Sequence, residues 1–149
     1  MENRTVSGFD VVGFSTRTKN EDESNPSTAK IGQLWDIFYS QAASKLRADS
    51  LAYGVYCNYE TDHSGMFDVF ACSDSKALQE LSGTRDLSIE PGQYLTFSAT
   101  GKMPQAVIDL WAEVWNHFSA DNCEHTRAYT TDFECYKSAN EVEISISIK

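Results

Sequence analysis

Two stretches of the chain carry apolar residues along one helical face. In the first, apolar side chains recur at steps of three and four: Ile31, Leu34, Trp35, Phe38, Ala42 and Leu46. In the second, the same spacing joins Met103, Val107, Leu110, Trp111, Val114 and Phe118. This period predicts amphipathic helices over about 29–48 and 103–119. Ser27 and Thr28 are candidate N-caps of the first helix, and Pro104 suits the first turn of the second.

Six other segments have the β-branched and aromatic content of strands: 9–18, 51–60, 66–73, 93–100, 127–137 and 141–149. The last one alternates most cleanly, with Val142, Ile144, Ile146 and Ile148 on one side and Glu141, Glu143, Ser145 and Ser147 on the other. The polar segment 19–29 predicts a loop and 61–65 predicts a turn. A short helix is predicted over 75–81, within the mixed segment 74–92.

The order strand–helix–strand–strand occurs twice, and the two occurrences share sequence. "LWDIF" (34–38) resembles "LWAEV" (110–114), and "AYGVYCNYE" (52–60) resembles "AYTTDFECYK" (128–137), both at an offset of 76 residues. Similarity at a constant offset indicates an internal duplication. We therefore predict an α+β fold and one domain over 1–149, with repeats at roughly 9–74 and 93–149. Each repeat would be a βαββ unit with an antiparallel sheet and one main helix, and the pseudo-symmetric pair would leave a ligand groove at its junction.

Charge and composition narrow the possible functions. The 149 residues include 12 Lys and Arg against 22 Asp and Glu, a formal net charge of −10, which repels nucleic-acid phosphates. No segment approaches the roughly 20 apolar residues of a membrane span. The N-terminus, "MENRTVSGFD", lacks the apolar segment of a secretory signal. We expect a cytoplasmic protein that contacts neither membranes nor nucleic acid directly.

The four cysteines, Cys57, Cys72, Cys123 and Cys135, form no Cys-x-x-Cys pair. Without a secretory signal they are expected to be reduced thiols rather than a disulfide framework. The stretch "CEH" places Cys123 near His125, but no second pair of ligands follows at a spacing typical of zinc sites. The sequence therefore predicts no metal site and no cofactor.

The predicted strand "AYTTDFECYK" has a glutamate, Glu134, in its middle. Strict alternation places Phe133 and Cys135 on one face, which we expect to pack with the isoleucines of 142–148. Glu134 and Tyr136 would then share the other face with Glu143. Two interpretations remain open: this face is solvated, or it lines the groove. In the groove, Glu134 and Glu143 would form an acidic floor beside Tyr136, and a cationic ligand would offset the cost of burying the charge.

Aromatic residues are plentiful, with three tryptophans, seven tyrosines and eight phenylalanines. Trp35 and Trp111 occupy equivalent positions in the two helices, and Tyr53 and Tyr129 occupy equivalent positions in the two hairpins. Each aromatic face attracts a delocalised cation by about 0.5–2 kcal/mol, which makes Trp35, Trp111 and Tyr53 candidate walls of a ligand site. The alternative is that they are ordinary core residues on helical stripes.

The second half of the chain combines four features: Ile-x-Pro-Gly-x-Tyr at 89–94, a helix with tryptophan, Phe-Glu-x-Tyr at 133–136, and a closing alternating strand. This combination resembles the effector-binding domains of AraC-type and MerR-type transcription regulators. It is equally similar to the stand-alone gyrase-inhibitor-like (GyrI-like) small-molecule-binding proteins. "DVVGFSTRT" and "IGQLWDIF" match the first half of the family pattern, so the resemblance spans nearly the whole chain. The most specific likeness is to stand-alone cationic-drug-binding domains encoded on integron gene cassettes.

The resemblance implies a tandem βαββ fold whose central groove holds a hydrophobic, often cationic, compound. It places Glu134 in that groove with Tyr136 as its neighbour. One position departs from the family pattern, because Ser147 stands where a proline is usual near the end of the closing strand. Since the resemblance spans nearly the whole chain, we expect no attached DNA-binding domain. The chain would then sequester its ligand, or sense it together with a separate DNA-binding regulator protein.

Three functions remain as alternatives. The first is a binding module for lipophilic cations, with no catalysis. The second, known among gyrase-inhibitor-like relatives, is hydrolysis of cyclopropane-containing genotoxins by a groove Glu/Tyr pair. No arrangement typical of a nucleophile is visible in the sequence, so an enzyme is not favoured. The third is a gyrase-inhibitor-like interaction module, in which an acidic surface mimics DNA.

Overall fold

The structure, a computed structural model, describes residues 1–149 and is an α+β fold built on one antiparallel sheet. The strands are β1 (Glu2–Val6), β2 (Phe9–Thr18), β3 (Ala52–Cys57), β4 (Phe67–Ser73), β5 (Arg85–Ile89), β6 (Gly92–Thr100), β7 (Arg127–Ser138) and β8 (Glu141–Ile148). The helices are α1 (Asn20–Glu23), α2 (Ile31–Ala42) and α3 (Gln105–Ser119), with 3-10 turns at Ala43–Lys45 and Lys76–Glu80. None of these helices has the length and apolar character needed to cross a membrane.

The order of the strands in the sheet is β1-β6-β8-β7-β3-β4-β2-β5. The two halves of this order are equivalent: β7, β8, β6 and β1 follow one another outward on one side of the centre, as β3, β4, β2 and β5 do on the other. The two predicted units are β2-α2-β3-β4 and β6-α3-β7-β8, and they meet where β3 pairs antiparallel with β7. Their sheets therefore form one continuous sheet instead of two. Each unit also pairs with one additional edge strand. β1, which precedes the first unit in sequence, pairs with β6 of the second unit, and β5, which precedes the second unit, pairs with β2 of the first. The predicted α+β fold of two pseudo-symmetric βαββ units is confirmed.

One face of the sheet carries the two main helices, each over its own unit. Beneath α2 lies a core that includes Leu34, Phe38, Ala42, Val12, Phe14, Val69 and Ala71. Beneath α3 lies a second core that includes Leu110, Val114, Leu95, Phe97, Val142, Ile144 and Ile146. Because each helix covers the outer strands of its unit, the central strands β3 and β7 form a floor between the two helices.

The opposite face of the sheet is covered by strands alone. Its core contains Val11, Tyr53, Val55, Cys57, Phe70, Cys72, Ile89, Tyr94, Phe133 and Cys135. No helix contributes to this cluster, and side chains of outer strands pack on its centre, with Phe9 and Tyr94 against Phe133 at 5.7 and 5.4 Å between ring centroids. The middle of β7 is consequently buried on both faces.

The N-terminus of α2 differs from its prediction. The helix begins at Ile31, and neither Ser27 nor Thr28 caps it, because their hydroxyls donate instead to Asn25 Oδ1 and to Asp22 O of α1. The carboxylate of Glu23 accepts hydrogen bonds from the backbone N–H groups of Lys30 and Ile31, each at 3.0 Å. An acidic side chain eight residues before Ile31 thus satisfies the backbone N–H groups that a capping residue would otherwise bond.

Candidate functional site

A cavity of about 620 Å³ lies between α2 and α3, over the floor formed by β3 and β7. Nine of its 13 lining residues are hydrophobic. The volume falls within the range of about 300–1,000 Å³ that is typical of small-molecule sites. The lining residues are Ile31, Gly32, Trp35, Asp36 and Tyr39 on one side, Met103, Pro104, Val107, Ile108 and Trp111 on the other, and Tyr56, Glu134 and Tyr136 on the floor.

Glu134 reaches this floor because of the register of β7. It pairs with Ile144 on β8 and with Gly54 on β3. Since residues directly opposite each other in antiparallel strands share a face, Glu134 lies on the helix-bearing face. A Cβ atom at Gly54 would collide with Glu134 Oε1 and would lie 3.1 Å from the ring of Trp35. Glycine at position 54 therefore leaves the space that the carboxylate occupies.

The prediction that Glu134 and Glu143 share a face is wrong. Glu143 pairs with Cys135, and Phe133 pairs with Ser145, so these residues lie on the face opposite Glu134. The isoleucines of β8 share their face with Glu134 instead of with Phe133. The physical reason is that β7 is buried on both faces, so an apolar residue such as Phe133 does not indicate which face the helices cover.

The carboxylate of Glu134 is held by three neutral donors. Tyr56 Oη and Trp111 Nε1 donate to Oε2 at 2.9 and 2.7 Å, and Tyr136 Oη donates to Oε1 at 2.8 Å. Glu134 is only 4% exposed and takes part in none of the seven ion pairs of the structure. Burial raises its pKa above the ordinary value, while the three hydrogen bonds act in the opposite direction. The result is a buried carboxylate with no positive partner of its own.

A second buried carboxylate, two residues earlier on the same strand, shows the contrast. Asp132 is fully buried and forms an ion pair with Arg127 at 2.7 Å. It also accepts hydrogen bonds from Tyr59 at 2.6 Å and from the backbone N–H of Ser147 at 2.9 Å. The charge of Asp132 is thus neutralised within the protein, whereas the charge of Glu134 is not.

Aromatic rings surround Glu134. Trp35 lies edge-on to Tyr136 at 5.6 Å between ring centroids, and Trp111 lies edge-on to Tyr56 at 5.4 Å. Burial, and then the charge of Glu134, raise the pKa of Tyr56 and of Tyr136. These phenols therefore keep their protons and serve as hydrogen-bond donors. A phenol with a raised pKa is a poor general acid, which does not favour the hydrolase alternative.

Of the six residues predicted to bind a ligand, the structure brings four together in the cavity: Glu134, Tyr136, Trp35 and Trp111. The other two lie elsewhere. Tyr53 is buried on the opposite face, where its ring packs on Phe9 at 5.2 Å. Glu143 accepts hydrogen bonds from Arg4 at 3.2 and 3.0 Å. Burial alone would raise the pKa of Glu143, but the hydrogen bonds and charges of Arg4 and Lys137 lower it.

Tyr56, which donates directly to Glu134, is not among the residues predicted from the sequence. The signal was present, because Tyr56 follows Gly54 by two residues and so lies on the same face of β3. A glycine inside a strand often marks a close approach by another group. Tyr39, Ile108 and the short run Met103-Pro104 were also missed as lining residues.

Comparisons with known proteins agree with this architecture. The sequence profile of Cass2, the integron-associated effector binding protein, matches residues 4–148. The crystal structure of an integron cassette protein from the mobile metagenome of Vibrio cholerae is 57% identical, with a TM-score of 0.95, covering 99% of this chain and 95% of the other. Comparison with curated protein sequences gives no match.

Two more distant structures share the fold. SAV2435 bound to tetraphenylphosphonium is 18% identical, with a TM-score of 0.70, covering 99% of this chain and 93% of that one. The C-terminal domain of EcmrR is 14% identical, with a TM-score of 0.56, covering 99% of this chain and 96% of that one. The profile match over nearly the whole chain and the 57% identity settle the relationship: the chain belongs to the Cass2 family of integron-associated effector binding proteins.

Proposed function

We propose that the cavity between α2 and α3 binds a lipophilic aromatic cation, with Glu134 as its counter-charge. The observation that carries this proposal is the buried carboxylate of Glu134, which accepts hydrogen bonds from three neutral donors and forms no ion pair with a cationic side chain of the protein. Burying an unpaired charge costs several kcal/mol. A cation about 4 Å away recovers roughly 4 kcal/mol at an effective dielectric constant of about 20. The site is therefore more stable with a positive ligand than without one.

The walls of the cavity fit the apolar part of such a ligand. Trp35, Trp111 and Tyr136 present rings that attract delocalised positive charge. Tyr39 and Ile108, on opposite helices at the mouth of the cavity, are 54% and 55% exposed, and a ligand with several rings would cover them. Because the single charge and the flat rings impose few directional contacts, the site accepts cations of different shapes. The fold relative SAV2435 is bound to tetraphenylphosphonium, a cation of this class, which supports the choice of ligand.

We infer that the bound cation is either withheld from its target or sensed together with a separate DNA-binding regulator. The net charge of −10 makes direct contact with DNA unfavourable, so a regulatory role requires a second protein. A pull-down with this chain as bait, with and without tetraphenylphosphonium, tests the second role. A DNA-binding protein retained in only one of the two conditions supports sensing, and retention in neither condition supports sequestration.

Calorimetric titration with tetraphenylphosphonium tests the binding site itself. Glu134→Gln keeps the shape of the side chain and the hydrogen-bonding donors of Tyr56 and Trp111, but removes the charge. We expect the affinity to fall at least about tenfold, or near 1.4 kcal/mol. The neutral triphenylphosphine oxide should bind parent and variant alike.

Glu143→Gln is the matched control, because it also removes one carboxylate charge from a neighbouring strand but on the opposite face of the sheet. Its affinity for tetraphenylphosphonium should equal that of the parent. Equal affinities for parent and Glu134→Gln would refute the proposed role of Glu134, and a loss in Glu143→Gln as large as that in Glu134→Gln would show only a general effect of charge.

A further inference from the structure

A second group of potential ligands lies outside the cavity, where α3 ends and the chain turns into β7. His117 is in the last turn of α3, and Cys123 and His125 are in the following loop, 120–126. One ring nitrogen from each histidine and Sγ of Cys123 all lie within 4.8 Å of one another. None of the three residues lines the cavity that contains Glu134.

The two imidazoles point their nitrogens at each other. His117 Nε2 lies 3.1 Å from His125 Nδ1. In a tetrahedral zinc site with Zn–N bonds of about 2.0–2.1 Å, two ligating nitrogens are about 3.3 Å apart. The observed separation is therefore close to one edge of such a tetrahedron. The thiol of Cys123 donates a hydrogen bond to the carbonyl oxygen of His125 at 3.2 Å, a weak bond that a metal–thiolate bond would replace.

The fold holds this group in place from both sides. The ring of His117 packs against Phe97 at 5.7 Å and Phe118 at 5.0 Å, which fixes its orientation at the end of α3. A turn in which the Cys123 N–H donates to Ala120 O at 3.1 Å brings the loop back toward the helix. The loop ends at Thr126, whose carbonyl accepts from the N–H of Lys149 at 2.9 Å. The three side chains are therefore positioned before any ion binds.

The chemistry of the donor set selects the ion. Two imidazoles and one thiolate suit a borderline divalent metal such as Zn²⁺, whereas Mg²⁺ and Ca²⁺ prefer oxygen ligands. All three residues are partly exposed, so an ion can enter from solvent, and the net charge of −10 favours its approach. Three protein ligands leave a fourth position for water.

We propose that His117, Cys123 and His125 bind one Zn²⁺ ion, which fastens the end of α3 to the start of β7. Binding replaces the proton of the Cys123 thiol, which is released to solvent, with a zinc–sulfur bond. Because α3 forms one wall of the cavity and β7 forms its floor, the ion stabilises the connection between these two parts of the molecule.

Titration of the reduced full-length chain with Co²⁺ tests the proposal. We expect one Co²⁺ per chain, with the strong visible absorption of tetrahedral Co²⁺ and a thiolate-to-cobalt band in the near ultraviolet, both abolished by one equivalent of Zn²⁺. Cys123→Ser should remove the thiolate band, and His117→Gln should weaken binding at least tenfold. His63→Gln removes the third histidine of the chain and should leave the titration unchanged.

Two measurements on the unmodified chain guard against variants that fail to fold. The chemical shift of bound ¹¹³Cd²⁺ should indicate a single thiolate ligand. Zn²⁺ at a hundredfold excess over its Kd should raise the Tm by about 5 °C or more, and Mg²⁺ should not. Cobalt bound without a thiolate band, a band that persists in Cys123→Ser, or an equal loss in His63→Gln would overturn the proposal.

Discussion

At the scale of single residues, the molecule contains two buried carboxylates on one strand with opposite electrostatic situations. Asp132 has the guanidinium of Arg127 at 2.7 Å, whereas Glu134 has only the hydroxyls of Tyr56 and Tyr136 and the indole of Trp111. Neutral donors reduce the cost of burying the charge of Glu134 but do not cancel it, so its pKa is raised. Under the proposed function, a cationic ligand would supply the counter-charge that Glu134 lacks.

The raised pKa of Glu134 predicts how the affinity for tetraphenylphosphonium depends on pH. This cation has no titratable group, and under the proposed function it would bind best to the charged carboxylate. We expect the affinity to fall as the pH is lowered through the pKa of Glu134 in the ligand-free protein, and to level off above it. Glu134→Gln should show weak binding without this dependence. Calorimetry at several pH values measures the affinity of the parent and of Glu134→Gln. Asp36→Asn serves as a control, because Asp36 is an exposed carboxylate among the residues that line the cavity.

The same shift has a consequence for stability without ligand. Because folding raises the pKa of Glu134, the folded chain binds this proton more tightly than the unfolded chain does. The contribution of this group to the free energy of unfolding is therefore greatest below the pKa of the unfolded carboxyl and declines as the pH rises through the folded pKa. An affinity for tetraphenylphosphonium that increases in acid would contradict the predicted role of the charged carboxylate. A free energy of unfolding with the same pH dependence in the parent and in Glu134→Gln would contradict the predicted effect on stability.

Gly54 offers a second prediction at the scale of residues. A methyl group there would collide with Glu134 Oε1 and press on the ring of Trp35. We expect Gly54→Ala to displace the carboxylate and to weaken tetraphenylphosphonium binding at least about tenfold, near 1.4 kcal/mol. Gly32 also lines the cavity, but a Cβ added there meets nothing within 4 Å, so Gly32→Ala controls for an added methyl group that leaves Glu134 in place. Calorimetry compares the two variants, and unchanged affinity in Gly54→Ala would mean that the carboxylate has room to move.

At the scale of elements, β7 departs from a regular strand, and for this reason the faces of its side chains could not be predicted from alternation. Its pairing with β8 shifts register between Arg127 and Asp132, where Tyr129 has a φ of 56°. Hydrophobic periodicity located both long helices, and β-branched and aromatic content located all six predicted strands. Neither signal identified β1 or β5, which are short edge strands with mostly polar residues. Alternation also assigned the wrong face to Glu134, since both faces of β7 are buried.

The end of β8 explains one departure from the family pattern. Ser147 stands where proline is usual, and its backbone N–H and hydroxyl donate to Asp132 at 2.9 and 3.2 Å. A proline has no N–H to donate, so the serine supplies a bond that the family residue would not. Asp132 is thereby tied to β8 as well as to Arg127. The sequence showed the unusual residue, but its partner lies 15 positions away in the chain and became visible only in the fold.

Asp132→Asn tests the buried pair that holds this irregular part of β7. The substitution leaves the guanidinium of Arg127 buried without its counter-ion, and losses of about 3–5 kcal/mol in the free energy of unfolding are typical of such changes. Asp68→Asn removes the partner of the more exposed Arg17 and should cost less than about 1 kcal/mol. Urea denaturation measures both. Similar small losses in the two variants would show that the guanidinium of Arg127 becomes hydrated in Asp132→Asn and is not left buried without a counter-ion.

At the scale of the whole molecule, the duplicated fold places one helix on each side of a seam, the paired strands β3 and β7 where the two units meet. No helix lies directly over the seam. The sequence predicted this arrangement because the repeats, the helical stripes and the alternating strands all agreed. It also indicated that the seam would hold a ligand. It did not predict which side chains meet there, because the register of β3 against β7 sets those contacts and no local pattern encodes it.

The two-sided cavity predicts a response shared by both halves of the molecule. α2 packs on its own unit and α3 on the other, so a cation between Trp35 and Trp111 would connect elements that otherwise belong to separate cores. We expect saturating tetraphenylphosphonium to slow amide hydrogen exchange in both α2 and α3, at least about tenfold at the residues that face the cavity. The edge strands β1 and β5 should exchange as before. Mass spectrometry of peptic fragments measures the change, and Glu134→Gln at the same concentration should show much less slowing. Protection confined to one helix, or appearing around Glu143 on the far face, would mean that the cation does not bind at the seam.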